Sequence, residues 1–274
     1  MSFPIPEAAS IEFNVVVPSI LVEREPGFAR IILNRPERIN AIDDSIRIDL
    51  PRVLRLLDGD PDVRAIVIRG AGTRGFCAGA DIKEVRPLET PIEAHSRLNA
   101  DPWIDAFLHL STPTIAAIHG ACMGGGLEIA LACDIRMASA DALFALPETG
   151  LGLIPGAGGT QRLPNLIGIG PALDMMLSND RIDAHEAKRL NLITRLHPSS
   201  GVLFLEADRL AQSIAGKPVA ATRFVRRAAL ASSEMGLQSG LAIERNLFAL
   251  LLTTDERIEA AAAFKSRTVS QPPP

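Results

Sequence analysis

The sequence predicts an α/β core followed by an all-helical layer. Short apolar or β-branched runs alternate with segments of helical hydrophobic spacing, at a repeat of about 40 to 50 residues. No strand-like run follows about residue 200. The 274 residues are 47% hydrophobic and 22% charged, as in a folded protein with a sizeable core. We therefore expect a core containing the site in residues 1–200 and a helical region for oligomer contacts in residues 201–274.

The predicted elements follow from residue spacing. The strand-like runs are residues 28–33, 65–69, 114–119, 135–139 and 142–146. Helical spacing is found in residues 42–57, 127–133, 202–216, 219–232, 236–252 and 255–267. The patterns Asp81 to Glu84 and Asp183 to Glu186 are typical of capping boxes, and the first predicts a helix from Ile82. Prolines interrupt residues 86–110, which we expect to form an irregular cover, and about the first 18 residues are predicted to form a loose arm.

Charge and cysteine content restrict the class of protein. The net charge is −4 and no block of like charges occurs, which argues against nucleic-acid binding. Three cysteines without a C-x-x-C spacing indicate free thiols in a reducing compartment. No Lys or Arg precedes Arg24 and no apolar run reaches about 18 residues, so we expect neither a secretory signal nor a membrane span. These features predict a cytoplasmic protein.

Several common site motifs are absent from the sequence. The five histidines include no i,i+4 pair and no H-E-x-x-H, so we expect no metal site. The glycine-rich residues 156–160 have no lysine at the Walker position and do not fit G-x-G-x-x-G, which argues against an NTPase or dinucleotide site. No G-x-S-x-G occurs, which excludes hydrolases with a nucleophile elbow.

Residues 119–162 carry the strongest candidate site. Gly124, Gly125 and Gly126 precede an apolar helix, where free N–H groups can stabilise a carbonyl oxygen that gains negative charge. Taken alone, a triple glycine is more simply a tight turn. Glu128 is the one charged side chain of that helix, which has no polar face to hold a solvated glutamate, so we interpret it as functional. Burial would raise its pKa toward the range useful for proton transfer.

Glu148 is the second candidate carboxylate. It follows the run 142–146 and lies between Pro147 and Thr149. Alone, a glutamate in a glycine-rich loop is equally well explained by a solvent-exposed position. Addition of water to a double bond needs one group that takes a proton from water and another that delivers a proton to carbon. We therefore expect Glu128 and Glu148 to face one small-molecule site.

The chain resembles the crotonase superfamily, and most closely its enoyl-CoA hydratases, from residue 29 to residue 267. The stretches that carry the resemblance are Asn34-Arg35-Pro36 with Asn40-Ala41, residues 76–83, residues 120–134, and Pro147-Glu148 with residues 155–163. The resemblance implies a crotonase-like spiral of repeated ββα units with a C-terminal all-helical layer.

The resemblance also implies roles for the candidate residues. In the family a thioester oxygen lies between two backbone N–H groups, which correspond here to Ala80 and Gly125. The paired glutamates of the hydratases correspond to Glu128, the implied base, and Glu148, the implied proton donor to the α-carbon. The implied reaction is syn addition of water to a trans-2-enoyl-CoA to give a 3-hydroxyacyl-CoA, as in fatty-acid degradation. It uses no metal and no cofactor beyond the CoA of the substrate.

Contacts to CoA are implied on three segments of the chain. They are Arg38, Ile39, Ala78, Asp81, Ile82, Lys83, Phe264 and Arg267. Two residues depart from the family pattern, because Glu37 stands where a lysine is common and Arg267 replaces a usual lysine. Members of the family form homotrimers and homohexamers with the helical tail at the contacts, and the resemblance implies the same here.

Two alternative functions remain open from the sequence. An enoyl-CoA isomerase of the same superfamily moves a double bond with one glutamate and needs no water. An RNA-binding relative uses a lysine-rich helix, whereas residues 47–57 here have arginines offset by aspartates and no lysine. The acyl preference also stays open, with Trp103, Phe107, Met123 and Leu151 as candidate wall residues of an acyl pocket.

Overall fold

A computed structural model describes residues 18–84, 88–100 and 102–269, with side chains described through residue 262. The strands are β1 (Ile20–Glu25), β2 (Phe28–Leu33), β3 (Ile66–Gly70), β4 (Gly75–Cys77), β5 (Thr114–Ile118), β6 (Ala121–Met123), β7 (Ile135–Ser139), β8 (Leu143–Ala145), β9 (Ile182–Asp183) and β10 (Arg195–His197). The α-helices are α1 (Asp44–Asp58), α2 (Pro91–Ala100), α3 (Gly125–Ala132), α4 (Gly159–Ile167), α5 (Ile169–Ser178), α6 (Ala184–Arg189), α7 (Ser200–Ala215), α8 (Val219–Ala231), α9 (Leu237–Leu251) and α10 (Asp255–Val269). Short 3₁₀ helices span Pro36–Arg38, Trp103–His109 and Glu148–Leu151.

The strands form two sheets, one of six strands in the order β1-β2-β3-β5-β7-β10 and one of four in the order β4-β6-β8-β9. Strands β3, β5 and β7 of the large sheet are parallel, and each is followed within a few residues by a short strand of the small sheet. A helix then returns the chain to the next long strand, except after β8, which leads into the 3₁₀ helix that begins at Glu148. The unit is therefore strand, strand, helix, and its repetition confirms the predicted α/β core.

Both faces of the large sheet are covered, and the sequence alternates accordingly. On β3, Ile66 and Ile68 belong to the main hydrophobic cluster, while Val67 between them packs in a second cluster with Leu203 and Ala207 of α7. Successive side chains of a strand point to opposite faces, so a strand buried on both faces is apolar throughout. This burial explains why the short apolar runs were recognisable as strands.

The C-terminal helices form the predicted helical end, and no strand follows β10 within the described residues. Helix α8 is attached to the core by Arg226, whose guanidinium donates to Asp134 at 2.9 Å and to the carbonyl oxygens of Leu110 and Phe107. None of the helices in the described part of the chain is long and apolar enough to cross a bilayer.

The structure corrects one predicted helix and adds strands that were not predicted, namely β1 and the short strands β4, β6, β9 and β10. Residues 81–84 form a turn and no helix begins at Ile82, because both carboxylates of the D-x-x-E pattern bind other partners. The Asp81 side chain accepts from Arg35, and Glu84 accepts from the Asp44 N–H and from Arg47 of α1. Strand β1 pairs antiparallel with β2 immediately after the predicted loose arm, of which residues 1–17 lie outside the described residues.

Candidate active site

Three turns meet at one edge of the small sheet. Strands β4, β6 and β8 are parallel neighbours, so their carboxyl ends lie side by side. Ala80 follows β4, the Gly124-Gly125 turn follows β6, and Glu148 follows β8. The Gly124 N–H donates to the Ala145 carbonyl at 2.9 Å, which joins two of the turns. The topology thus brings together residues that are far apart in sequence.

Two backbone N–H groups border this edge. Ala80 is bracketed by two hydrogen bonds to Ile42, from the Ile42 N–H to the Gly79 carbonyl at 2.8 Å and from the Asp81 N–H to the Ile42 carbonyl at 2.9 Å. In such a parallel pairing the N–H of Ala80 itself points away from Ile42. Gly125 is the first residue of α3, where N–H groups have no partner within the helix. A Cβ built on Gly125 would lie 3.9 Å from the Ala80 nitrogen, so the two groups are close neighbours.

Glu128 lies on the first turn of α3 and is only 3% exposed. Its Oε1 accepts from the N–H groups of Ala157 and Gly159 at 2.7 and 2.8 Å. Its Oε2 lies on the side of Gly125, 3.9 Å from the position of a Cβ there. Burial raises the pKa of the Glu128 carboxyl, and the two N–H groups and the charge of Arg162 oppose that rise. One oxygen is therefore held by the protein while the other faces the amide pair.

Glu148 is the first residue of the 3₁₀ helix after β8. Its Oε1 lies 2.9 Å from the position of a Cβ on Gly124, and its Oε2 is buried with no hydrogen-bond partner among the described residues. Burial raises the pKa of this carboxyl, a hydrogen bond with its own backbone opposes the rise, and the negative charge of Glu128 adds to it. Buried polar atoms in folded proteins normally have a partner, so an unpartnered carboxylate oxygen at a sheet edge indicates a site for a ligand.

The structure brings together the four residues that the sequence singled out for chemistry. Glu148 touches Gly124, Glu128 faces Gly125, and the Ala80 nitrogen lies beside the same turn. Gly124 adopts φ +51° and ψ −126°, a conformation that residues with a Cβ rarely occupy. The absence of a side chain at Gly124 thus allows the backbone conformation of the turn and the close approach of the Glu148 carboxylate.

The residues implied in CoA contact lie along one rim beside Ala80. Arg38 is exposed at the end of a 3₁₀ helix, and Ile39 follows in the left-handed conformation at φ 52°. The Ile39 carbonyl accepts from the Ala78 N–H at 2.9 Å, which joins the two segments. Ile82 and Lys83 are exposed on the following turn. These five residues therefore lie on two segments that are joined by this hydrogen bond and that flank Ala80.

The other three residues implied in CoA contact are Asp81, whose side chain is bound within the chain, and Phe264 and Arg267, whose side chains are not described. The Asp81 carboxylate is bound to Arg35 at 3.0 Å and accepts from the Lys83 N–H, so it holds the turn in place and is engaged within the chain. Phe264 and Arg267 fall in α10, but their side chains lie outside the described residues.

The candidate acyl-wall residues are divided between two regions. Trp103 and Phe107 line a groove of about 1800 Å³. This groove borders Ala157 but neither carboxylate nor the amide pair, so it adjoins the candidate site and is distinct from it. Met123 is half-buried at the end of β6, and Leu151 is 61% exposed at the end of the 3₁₀ helix that begins at Glu148.

Sequence reasoning missed the groups that hold the carboxylates. The N–H groups that bind Glu128 come from Ala157 and Gly159, in the glycine-rich turn that was tested as a phosphate loop and used for the family resemblance, but not as a partner of Glu128. A glycine-rich turn before a helix generally indicates free N–H groups that can bind an anion. Here the anion that they bind is the carboxylate of Glu128, which belongs to the chain itself. On the other side, the Thr149 hydroxyl hydrogen-bonds the Met176 carbonyl and Asn179 at the end of α5, beside Glu148. In the described part of the chain, no three His, Cys, Asp or Glu side chains are grouped as a metal site.

Comparison with known proteins agrees with this geometry. The family model for enoyl-CoA hydratase/isomerase matches residues 23–271. A probable mitochondrial enoyl-CoA hydratase of Arabidopsis thaliana is 38% identical over 89% of this chain and 80% of its own length. A putative enoyl-CoA hydratase/isomerase of Bacillus subtilis, YngF, is 39% identical over 87% of this chain and 92% of its own length.

Solved structures show the same fold. An enoyl-CoA hydratase from Bacillus anthracis matches with a TM-score of 0.85 at 35% identity, covering 91% of this chain and 96% of its own. DspI of Pseudomonas aeruginosa matches with a TM-score of 0.86 at 34% identity, covering 94% and 98%. The fold and the paired carboxylates beside two amides define an enzyme of the crotonase type. The chain belongs to the enoyl-CoA hydratase/isomerase family of the crotonase superfamily, which confirms the predicted family and fold class.

Proposed function

We propose that the protein is an enoyl-CoA hydratase that adds water across the double bond of a trans-2-enoyl-CoA. The observation that carries the proposal is a pair of carboxylates against one glycine turn, Glu128 buried and Glu148 half-buried. Glu128 Oε2 lies 3.9 Å from the position of a Cβ on Gly125, and Glu148 has a buried oxygen without a partner among the described residues. A hydratase needs two proton-transferring groups, whereas moving a double bond needs one.

The two amides supply the electrostatic part of the mechanism. Addition of water at C3 of the enoyl group shifts electrons toward the thioester oxygen, which gains negative charge. The Ala80 nitrogen lies 3.9 Å from the position of a Cβ on Gly125, which supports a role for both N–H groups at one oxygen. Such fixed donors stabilise the charge as it develops, and loss of one typically costs about 10²- to 10³-fold in turnover.

The surroundings of the carboxylates support different protonation states. Burial raises the pKa of both carboxyls; two N–H donors and the charge of Arg162 oppose the rise at Glu128, whereas at Glu148 the charge of Glu128 adds to it and only a hydrogen bond with its own backbone opposes it. Glu128 then accepts a proton from water as the oxygen bonds to C3, and Glu148 donates its proton to C2. Exchange with solvent returns the pair to its starting state.

Incubation with crotonyl-CoA tests the proposal. We expect the absorbance of the conjugated thioester to fall while 3-hydroxybutyryl-CoA forms, with a variant carrying both E128Q and E148Q as the control for contaminating activity. A stable absorbance, combined with conversion of a 3-enoyl-CoA to a 2-enoyl-CoA, would instead identify an isomerase.

The remaining expectations are part of the same proposal. We propose that CoA binds along the rim from Arg38 to Lys83 and that the reaction needs no cofactor beyond the CoA of its substrate. We also propose a cytoplasmic homotrimer or homohexamer acting in fatty-acid or related acyl-CoA degradation, with residues 201–274 at the subunit contacts. Size-exclusion chromatography with light scattering tests the assembly, and a panel of enoyl-CoA esters of different lengths tests the acyl preference.

A further inference from the structure

We propose that Arg162 is a positioning residue for this reaction, holding the turn that binds Glu128 and presenting its positive charge to that carboxylate. This inference rests on the hydratase function proposed above. In this role Arg162 acts through the carboxylate of Glu128.

The first support is a chain of hydrogen bonds. Arg162 lies on α4, and its Nη1 donates to the Ala157 carbonyl at 2.9 Å. The Ala157 N–H donates to Glu128 Oε1, as does the N–H of Gly159, the first residue of α4. The guanidinium therefore closes the turn that supplies both donors to the carboxylate. Without this contact, the Ala157 carbonyl loses its hydrogen bond to α4, and the turn is held to the helix by the backbone N–H groups that donate to the Gly158 carbonyl.

The second support is the space that the backbone leaves for the guanidinium. Gly158 adopts φ +98°, and a Cβ built on it would overlap Arg162 Nη1 and lie 2.9 Å from its Cζ. The guanidinium thus lies directly against the α-carbon of Gly158, in space that any other residue would fill. Because Gly158 has no side chain, it can adopt the positive φ of the turn and leaves room for the Arg162 guanidinium.

The third support is electrostatic. Arg162 is half-buried, and Glu128 from α3 and Asp105 from the 3₁₀ helix Trp103–His109 both face it. Burial lowers the pKa of Arg162, and those two acids oppose the change, as does the neighbouring Cys133. Glu128 in turn is faced by Arg162 and by Glu148, so it is flanked by one cation and one acid. The cation favours the ionised form of Glu128 that a base requires.

Three variants separate this role from a purely structural one. R162M removes the charge with a similar side-chain length, R162K keeps the charge and loses the planar donor, and Q161M is the matched control on the exposed side of the same helix. For R162M we expect the acid limb of the kcat/KM profile for crotonyl-CoA to move to higher pH, because Glu128 ionises less readily. At a pH on that limb the loss should be about tenfold or more, with KM within about twofold of wild type.

R162K should restore much of the acid limb, and Q161M should leave the profile unchanged. A uniform loss at every pH in R162M, with the limb unmoved, would overturn the electrostatic role. Normal turnover in R162M would overturn the proposal entirely. If R162M does not fold, R162K still tests the role of the donor, since loss of the Ala157 contact should lower kcat more than it changes KM.

A measurement without turnover keeps this inference separate from the proposed function. The Glu128 carboxyl can be followed by ¹³C NMR titration in protein labelled at the glutamate carboxyl carbon, with E128Q identifying the signal. We expect its titration to move to higher pH in R162M. An unmoved titration would refute the role of Arg162 even if hydration is confirmed. A wild-type protein that fails to hydrate crotonyl-CoA would refute the function and leave the titration result standing.

Discussion

Replacing Gly124 by alanine separates backbone strain from displacement of a carboxylate. Gly124 has φ +51° and ψ −126°, so any residue with a Cβ is strained there, at a cost of about 1–3 kcal/mol of folding free energy. The added Cβ would also lie 2.9 Å from Glu148 Oε1, closer than carbon and oxygen atoms normally pack. That oxygen is the far end of a flexible side chain, so the clash is relieved by moving the carboxylate.

The two consequences of G124A should therefore be seen in different measurements. The strain lowers the free energy of unfolding, measured by urea denaturation followed by circular dichroism. The displaced carboxylate lowers turnover of crotonyl-CoA by about 10- to 100-fold, because a shift of about 1 Å in a reacting group costs as much as 10²-fold. Binding of a CoA thioester should change little, since the rim from Arg38 to Lys83 is untouched.

Gly168 provides the matched control. It also has a positive φ, +89°, but a Cβ there would meet nothing nearer than 3.9 Å, and it lies between α4 and α5. G168A should lose a similar free energy of unfolding and retain near-normal turnover. The reasoning is refuted if G124A and G168A lose equal turnover, or if G124A loses none.

Three further predictions concern charge, positioning and anchoring. The folded-state pKa of Glu148 is raised, so ionisation of this carboxyl lowers the free energy of unfolding above that pKa and has no effect below the pKa in the unfolded chain. E148Q should therefore be more stable than wild type at pH 7, and the difference should vanish near pH 4. Lower stability of E148Q at pH 7 would contradict this reasoning. The Thr149 hydroxyl binds the turn that carries Glu148 to the carboxyl end of α5. T149V should therefore lower kcat by about tenfold with little change in KM, and T149S should restore kcat. Equal kcat in the two variants would show that the hydroxyl is not needed. R226M should reduce the free energy of unfolding by about 3 kcal/mol, because it leaves the half-buried Asp134 without its cation. R209M, which removes an exposed ion pair, should change the free energy of unfolding by less than about 1 kcal/mol. Equal effects of the two variants in denaturation would contradict the role of Arg226 as the anchor of α8.

Much of the fold could be predicted because burial makes strands apolar. The predicted strand 28–33 has the bounds of β2, and the predicted helix 127–133 overlaps α3 over most of its length. Strand β1 was missed because it lies at the edge of the sheet and its sequence, ILVERE, ends in charged residues that are exposed. The helix expected at Ile82 failed because a capping box is a local pattern, and tertiary partners took its carboxylates.

The site could be predicted only in part. An acid on an apolar helix is visible in the sequence, because burial of a charge without a purpose is costly. The partners of Glu128 lie 29 and 31 residues further along the chain, and no spacing rule connects them to it. The convergence of the three turns depends on which short strands pair, and that pairing is a property of the tertiary fold.

The central claim is that Glu128 and Glu148 act together in one site, Glu128 on the water and Glu148 on C2 of the substrate, and the single Gln variants test it most directly. Turnover of crotonyl-CoA by E128Q and E148Q should be measured beside the affinity of each for the saturated butyryl-CoA. The account predicts a loss of about 10²- to 10⁴-fold in turnover for each variant, with affinity for butyryl-CoA nearly unchanged. Near-normal turnover in either variant would contradict it.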